Sequence, residues 1–233
     1  KVLPRAKTVR KIHAYFGACE VNQKLSKLVV DVFKAIPDKG LELEVIVSEH
    51  CRGCEELLNI TDACDNIRVH THVASLAPLI AEADLAIGAG GMTTWERFCL
   101  GVPTIIVTCA KNQELLVQPL NKDGLIIWIG DTNSVNQVDF YNAMIDLLQS
   151  QSLGDMSVRC SELVDGQGVD RIIAALTVNS TDRVRIRNAS TADEVEYLRW
   201  ANDLPVREHS GGREIIGRQE HANWFRTSLN DSR

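Results

Sequence analysis

From Ile12 to about Leu176, short apolar runs alternate with longer stretches whose apolar positions recur at helical spacing. The short runs suit buried parallel strands, and the longer stretches suit crossover helices that bury one face. Six strands are predicted, over 12–17, 43–48, 67–71, 83–88, 104–108 and 125–130. Helices are predicted between and after them, over 22–35, 51–61, 75–81, 93–100, 113–120 and 135–149. In the first helix Leu25, Leu28, Val29, Val32, Phe33 and Ile36 fall at i, i+3, i+4 spacing, which gives one face to pack on a sheet. The pattern predicts an α/β fold: a Rossmann-like doubly wound parallel sheet of about six strands, with ligands at the carboxyl ends of the strands.

Two further amphipathic helices, over 156–164 and 169–176, close this unit, so 12–176 reads as one domain behind a linker, 1–11. Residues 177–183 are polar without apolar periodicity and read as a second linker. The segment 184–233 opens with a strand over 184–190. Thr191 then caps a helix running to Asn202, and another helix follows over 219–229. About 50 residues lie near the lower limit for an independent core, so an incomplete α+β tail is expected. With no initiator Met and an opening of KVLPRAKTVRK, both ends are expected to have been cut from something longer.

Composition narrows the function. The chain has 233 residues, 45% of them hydrophobic and 24% charged. No apolar run approaches the ~18 residues of a membrane helix, so no membrane insertion is expected. A net charge of −6 argues against a nucleic-acid partner, because phosphate-backbone affinity needs clustered Lys and Arg. Seven cysteines at irregular spacing suit reduced thiols in a cytoplasmic protein. Cys51 and Cys54 form a lone CxxC near His50 and Cys64. A structural zinc site wants four ligands of better-matched spacing, so no metal is expected there. His70 and His72 alternate on one strand with no third ligand and read as polar histidines near a ligand cleft. His13 reads as packed or hydrogen-bonded in the first strand, and Cys99 and Cys109 as buried small apolar residues.

The chemistry concentrates where the strand ADLAIG delivers the chain into AGGMTTWERF. Glycines at 88, 90 and 91 allow close backbone approach and positive φ, Thr93 and Thr94 supply hydroxyls, and a helix begins. The first N–H groups of a helix lack partners within it and attract anions, so a diphosphate fits there. The carboxylate of Glu96, one turn in, repels phosphate and must serve the hydroxyls of a ribose instead. The plainer alternative is a strand-to-helix turn with Thr93 or Thr94 as its cap. Trp95 is read as core packing rather than a stack for a base.

The run ADLAIGAGGMTTWERFCLGVPTIIV, with Ala110-Lys111-Asn112-Gln113 after it, resembles the C-terminal domain of the pseudaminic-acid-pathway UDP-sugar hydrolases and their spore-coat polysaccharide glycosyltransferase relatives. More distantly it is similar to the UDP-GlcNAc transferase of peptidoglycan synthesis. The resemblance extends over about 10–176 and implies the C-terminal half of a GT-B fold. It also implies a set of nucleotide-sugar contacts: Gly17 near the phosphates, Gly90, Gly91, Met92, Thr93 and Thr94 on the diphosphate, Glu96 on ribose, Asn112 and Gln113 on sugar or phosphate, and backbone near Val73 on uracil. Two departures stand out. The first loop reads GACE (Gly17 to Glu20) where the family has GGSD or similar, and no GxGHxxR motif occurs, so no catalytic residue is expected in this chain.

The tail, RIRNASTADEVEYLRWANDLPVREHS followed by HANWF, resembles the start of GNAT acetyltransferases without their pyrophosphate loop. Acetyl-CoA is therefore implied only for an intact parent, and no cofactor is expected here. The function implied is the UDP-sugar-binding half of a nucleotide-sugar hydrolase, acting on a UDP-2,4-diacetamido-2,4,6-trideoxyhexose-like substrate in nonulosonic-acid or surface-polysaccharide biosynthesis. The alternatives are a GT-B glycosyltransferase fragment, or a non-catalytic module of a nonulosonic-acid cytidylyltransferase. Expected partners are a nucleotide-sugar, the N-terminal Rossmann domain of the parent and, as an option, a second copy in a homodimer.

Overall fold

A computed structural model describes residues 8–17, 21–37, 40–47, 54–71, 73–178, 187, 189–209 and 214–230. The chain divides into two compact units, Lys1–Gly168 and Val169–Arg233.

The first unit alternates strand and helix: β1 (Lys11–Tyr15), α1 (Val21–Ala35), β2 (Glu42–Ile46), α2 (Cys54–Ala63), β3 (Ile67–His70), α3 (Ala77–Glu82), β4 (Leu85–Ala89), α4 (Thr93–Cys99), β5 (Thr104–Thr108), α5 (Lys111–Lys122), β6 (Ile127–Asp131), α6 (Gln137–Gln149) and α7 (Leu153–Leu163). All six strands are parallel, in the order β3-β2-β1-β4-β5-β6. After β3 the chain crosses back over β1 to build outward on the other side. The strand order therefore reverses between β1 and β4, the crevice where ligands of such sheets bind.

Side chains alternate between the faces of a strand, so the registers lay out two different surfaces. On one face, the row Ile67, Leu43, Ile12, Leu85 and the row Val69, Val45, Ala14, Ile87, Ile105 run across the strands. These rows join the main core with Leu25, Val29, Val32 and Phe33 of α1 and Phe140, Met144 and Leu147 of α6. α1 packs against α6, and Phe16, just past β1, meets Phe140 edge-to-face at 6.3 Å. The start of α6 is fixed by a capping box: the Asn136 side chain accepts from the Val138 and Asp139 amides at 2.8 and 3.4 Å, and Asp139 accepts from the Asn136 amide at 2.9 Å.

On the opposite face the rows read Arg68, Glu44, His13, Ala86, Thr104 and His70, Ile46, Tyr15, Gly88, Ile106. A smaller cluster of Ile80, Ala83, Ala86 and Val102 packs there, with α3 against β1 and α4 and with α7 against α4. The start of β1 is held by Asp84, whose carboxylate accepts from the Arg10 and Lys11 amides at 2.8 and 3.0 Å.

The predicted strands match within two residues. β4 and β6 each start two residues and end one residue later than expected, and β6 runs on to Asp131 because a bulge adds one residue between its pairings to Ile106 and Thr108. Gly130 accommodates it at φ +123°. α5 begins two residues earlier than expected, which puts Asn112 and Gln113 in its first turn, and it carries Pro119 inside.

The second unit is helical where described: α8 (Gly168–Val178), which begins at the boundary, then α9 (Glu194–Ala201), α10 (Leu204–His209) and α11 (Arg218–Asn230). Of the expected strand over 184–190, residues 184–186 and 188 lie outside the described residues, and Arg187, Ala189 and Ser190 are not in a strand. Ser190, rather than Thr191, forms the cap. It makes a capping box with Asp193 at a 3-10 turn, Thr191–Asp193, that leads into α9. The Asp193 carboxylate also takes a bidentate pair of hydrogen bonds from Arg187, at 2.7 and 2.6 Å. This pairing holds its pKa well below the usual carboxylate range. Tyr197 of α9 packs on Trp200 and on Phe225 of α11, and His221 stacks on Phe225. No helix among the described residues is long and apolar enough to cross a membrane.

Candidate functional site

β1 and β4 are neighbours, so the loops leaving their carboxyl ends converge at the switch point. Gly17, two residues past β1, has φ +96° and is the one glycine of these two loops in the left-handed region. Ala18 to Glu20, and so most of the altered GACE sequence, lie outside the described residues.

Gly88, inside β4, and Gly90 and Gly91, after it, do different jobs, and none has the positive φ expected of them. A Cβ on Gly88 would collide with the Nη2 of Arg97 and the Tyr15 carbonyl oxygen, and would lie 2.8 Å from the Arg97 Cζ. A Cβ on Gly90 would stand 2.5 Å from Cγ2 of Val117, so this glycine lets α5 pack close. At Gly91 the nearest group is the Gln113 amide nitrogen, at 3.6 Å. Of the three, Gly91 has room on its outer side for a ligand.

Neither threonine caps α4. The cap position is Met92, which makes no side-chain capping bond and is exposed. Thr94 is fully buried, and its hydroxyl donates inward to the Ala89 carbonyl at 3.4 Å. Amide bonding inside the turn starts with Thr94 to the Gly91 oxygen and Trp95 to the Met92 oxygen, both at 3.0 Å. The amides of Gly91, Met92 and Thr93 thus remain without a partner among the described residues, as expected at a helix start.

Around this turn, Glu96 projects to solvent from α4. Trp95 packs on the core and meets Phe98 edge-to-face at 5.9 Å, which agrees with its reading as a packing residue. The Gln113 side-chain oxygen accepts from the Cys109 amide at 2.8 Å, which turns the donor end of that amide toward Gly91. Asn112 is exposed beside it, and Val73 is half-buried on the connection from β3 to α3. The structure therefore gathers Gly91 to Thr94, Glu96 and Gln113 around one turn. Val73 stands at the far end of the sheet, three strands from β4.

Arg97 was not singled out from the sequence. It is fully buried, and its guanidinium donates to the Tyr15 carbonyl at 3.2 Å and, at the limit of hydrogen-bonding distance, to the Ala89 carbonyl at 3.5 Å. These are the last residues of β1 and β4. Burial lowers its pKa to about 10, so the group stays charged at neutral pH. A sequence signal does exist: Arg97 runs into the apolar Phe98, Cys99 and Leu100 and has no acidic residue three or four positions away on either side.

Next to it His13 is buried, with both ring nitrogens unpartnered among the described residues. Burial and then the charge of Arg97 push its pKa down to about 3, so it is neutral. Glu44, also buried, pairs with Lys11 at 3.1 Å and lies 3.9 Å from both Arg68 and His70. His72 and Cys51 lie outside the described residues. Among the described residues, no group of three or more His, Cys, Asp or Glu could hold a metal ion. Cys160 is buried, with its thiol pushed up to about 12 by desolvation, whereas Cys99 and Cys109 are half-buried rather than buried as expected.

Comparison with known proteins places this geometry. The glycosyltransferase family 28 C-terminal domain matches residues 19–144. The spore coat polysaccharide biosynthesis protein SpsG of Bacillus subtilis (strain 168) is 28% identical over 102 residues, 43% of this chain and 30% of SpsG. The spinosyn rhamnosyltransferase SpnG, solved in complex with thymidine diphosphate, superposes with a TM-score of 0.57 at 20% identity, over 73% of this chain and 46% of that one. MurG of Acinetobacter baumannii does so with a TM-score of 0.56 at 17% identity, over 73% of this chain and 50% of that one. The structural matches establish a shared fold. The chain spans half or less of the length of each of these three proteins.

Proposed function

Because this chain belongs to the glycosyltransferase family 28 C-terminal domain family, we propose that its first unit is the donor-binding half of a glycosyltransferase of polysaccharide biosynthesis. It holds a nucleoside diphosphate-sugar of the UDP type. The observation that carries the reading is the convergence of the β1 and β4 loops at the switch point, where the Gly91, Met92 and Thr93 amides have no partner among the described residues. The diphosphate lies over that turn, the exposed Glu96 carboxylate accepts from the ribose hydroxyls, and the anchored Gln113 amide donates to sugar or phosphate. Gly17 approaches the phosphates from β1. Val73, on the β3 side where a base extends away from the diphosphate, is the uracil contact, and Asn112 assists Gln113.

The hydrolase expectation gives way here to its transferase alternative. The matched family is a glycosyltransferase family, and the similar proteins include a rhamnosyltransferase and a spore-coat polysaccharide protein. In this role the half-site stabilises the leaving nucleoside diphosphate: charge that develops on it as the glycosidic bond breaks meets preorganised amides. The acceptor and the group that deprotonates it belong to a second domain.

Calorimetry with UDP tests the reading. Binding is expected at millimolar ligand or tighter. Replacement of Glu96 by Ala should weaken it by roughly 1.5–3 kcal/mol, the contribution of hydrogen bonds to a charged group. No heat at millimolar UDP, or Glu96→Ala behaving as wild type, sinks it.

A further inference from the structure

Arg97 has an arrangement that folding by itself does not explain. It is fully buried and, among the described residues, forms no ion pair and finds no partner for its Nε. Among the described residues its guanidinium bonds only two neutral main-chain oxygens, and the one carboxylate that acts on it, Glu96, does so through space from the exposed side of α4. A buried cation left this way is destabilising, and apolar replacements of buried charges are often neutral or stabilising. Yet the surroundings are cut to fit it. Gly88 gives up a side chain whose first carbon would overlap the guanidinium. His13, one row below on the same sheet face, is neutral and supplies no counter-charge. The nearby buried carboxylate of Glu44 is already engaged by Lys11.

The position adds the second half of the argument. The two carbonyls that hold Arg97 belong to Tyr15 and Ala89, the terminal residues of the two strands whose loops meet at the switch point. An anion resting on those loops would stand over a desolvated positive charge, in surroundings where Coulomb forces act with little screening.

We propose that Arg97 is the fixed cation of the diphosphate site, acting through its charge from beneath the Gly90 to Thr94 turn while staying out of solvent. The proposal rests on the reading that this chain binds a nucleoside diphosphate. Arg97 supplies the attraction, and the amides above it set the geometry. The loop itself carries no exposed Lys or Arg between Gly88 and Glu96. One buried guanidinium thus gives a chain of net charge −6 a local positive potential where its ligand is most negative.

The test compares uridine, UMP and UDP on the whole 233-residue chain, as wild type, Arg97→Met and Arg97→Lys, with thermal unfolding of each. Calorimetry measures the two nucleotides and ligand-observed NMR the nucleoside. The loss in Arg97→Met should grow with ligand charge: none for uridine, about threefold for UMP and about tenfold for UDP, as expected for one partly screened charge. Arg97→Lys should recover most of the UDP affinity, and Arg97→Met should melt no lower than wild type. UDP affinity unchanged in Arg97→Met overturns the proposal and leaves the nucleotide reading standing. Parallel losses for uridine and UDP with a lowered melting temperature also overturn it, since Arg97 would then only tie β1 to β4. Absence of UDP binding by the wild type removes the nucleotide reading and this proposal together.

Discussion

The two faces of the sheet use the same strands for opposite purposes. Under α1 and α6, Ile12, Ala14, Leu43, Val45, Leu85 and Ile87 form unbroken apolar rows that exclude water and hold the fold. One residue along each strand, the other face carries Lys11, His13, Glu44 and, over Gly88, the guanidinium of Arg97. The first face stabilises the sheet by burial alone. The second gives up part of that stabilisation to house ionisable groups along the strands, of which the Arg97 guanidinium reaches the carboxyl ends, beneath the loops that hold the candidate site. Natural folds commonly break the hydrophobic pattern where function requires it.

That contrast can be broken most severely on the apolar face. Leu43→Ala, at a fully buried position in the middle of its row, should cost about 2–5 kcal/mol in denaturant unfolding. A loss within ~0.5 kcal/mol would mean that this face is not the main source of stability. On the polar face Gly88→Ala should cost about 1–3 kcal/mol by overpacking. Adding Arg97→Met should recover only part of the loss, because the Tyr15 carbonyl still obstructs the new carbon. Full recovery in the double variant would place the whole clash on the guanidinium.

The smallest effect sharpens the comparison through pH. His13 has a folded-state pKa lowered to about 3 from an ordinary 6.5. The unfolded chain therefore binds the proton more readily than the folded one between those values. The stability contributed by neutral His13 is complete above pH 6.5 and is lost as pH falls toward 3, at a slope of at most ~1.4 kcal/mol per pH unit. Denaturant unfolding of wild type and His13→Leu from pH 7.5 to 4.5 should diverge on the acid side, with the variant flatter. Parallel curves would show that His13 is not held neutral by its site.

Much of the architecture was legible from local pattern. Strand and helix periodicities are properties of a few neighbouring residues, so all six strands of the first unit were found within two residues, and the helix starting at Thr93 was placed correctly. Errors came where a neighbour in space decided the outcome. The bulge at Gly130 shifts the end of β6, a side chain three residues ahead makes Ser190 the cap, and the alternative that Thr93 or Thr94 caps α4 fails because Thr94 faces inward and the cap position falls to Met92.

The sequence by itself determined the fold class, the position of the glycine turn between β4 and α4 and, through its motif, the relation to spore-coat polysaccharide proteins and GT-B glycosyltransferases, though not the choice of transferase over hydrolase. Tertiary structure decided what each residue of that turn does. The hydrogen bond that places Arg97 joins residues 82 positions apart, and the packing that requires Gly90 joins it to Val117 of a different helix. Such contacts leave no periodic trace in the chain. A glycine that opens toward a ligand, one that admits a helix and one that shelters a guanidinium are the same letter, and only the packed neighbours on each side tell them apart.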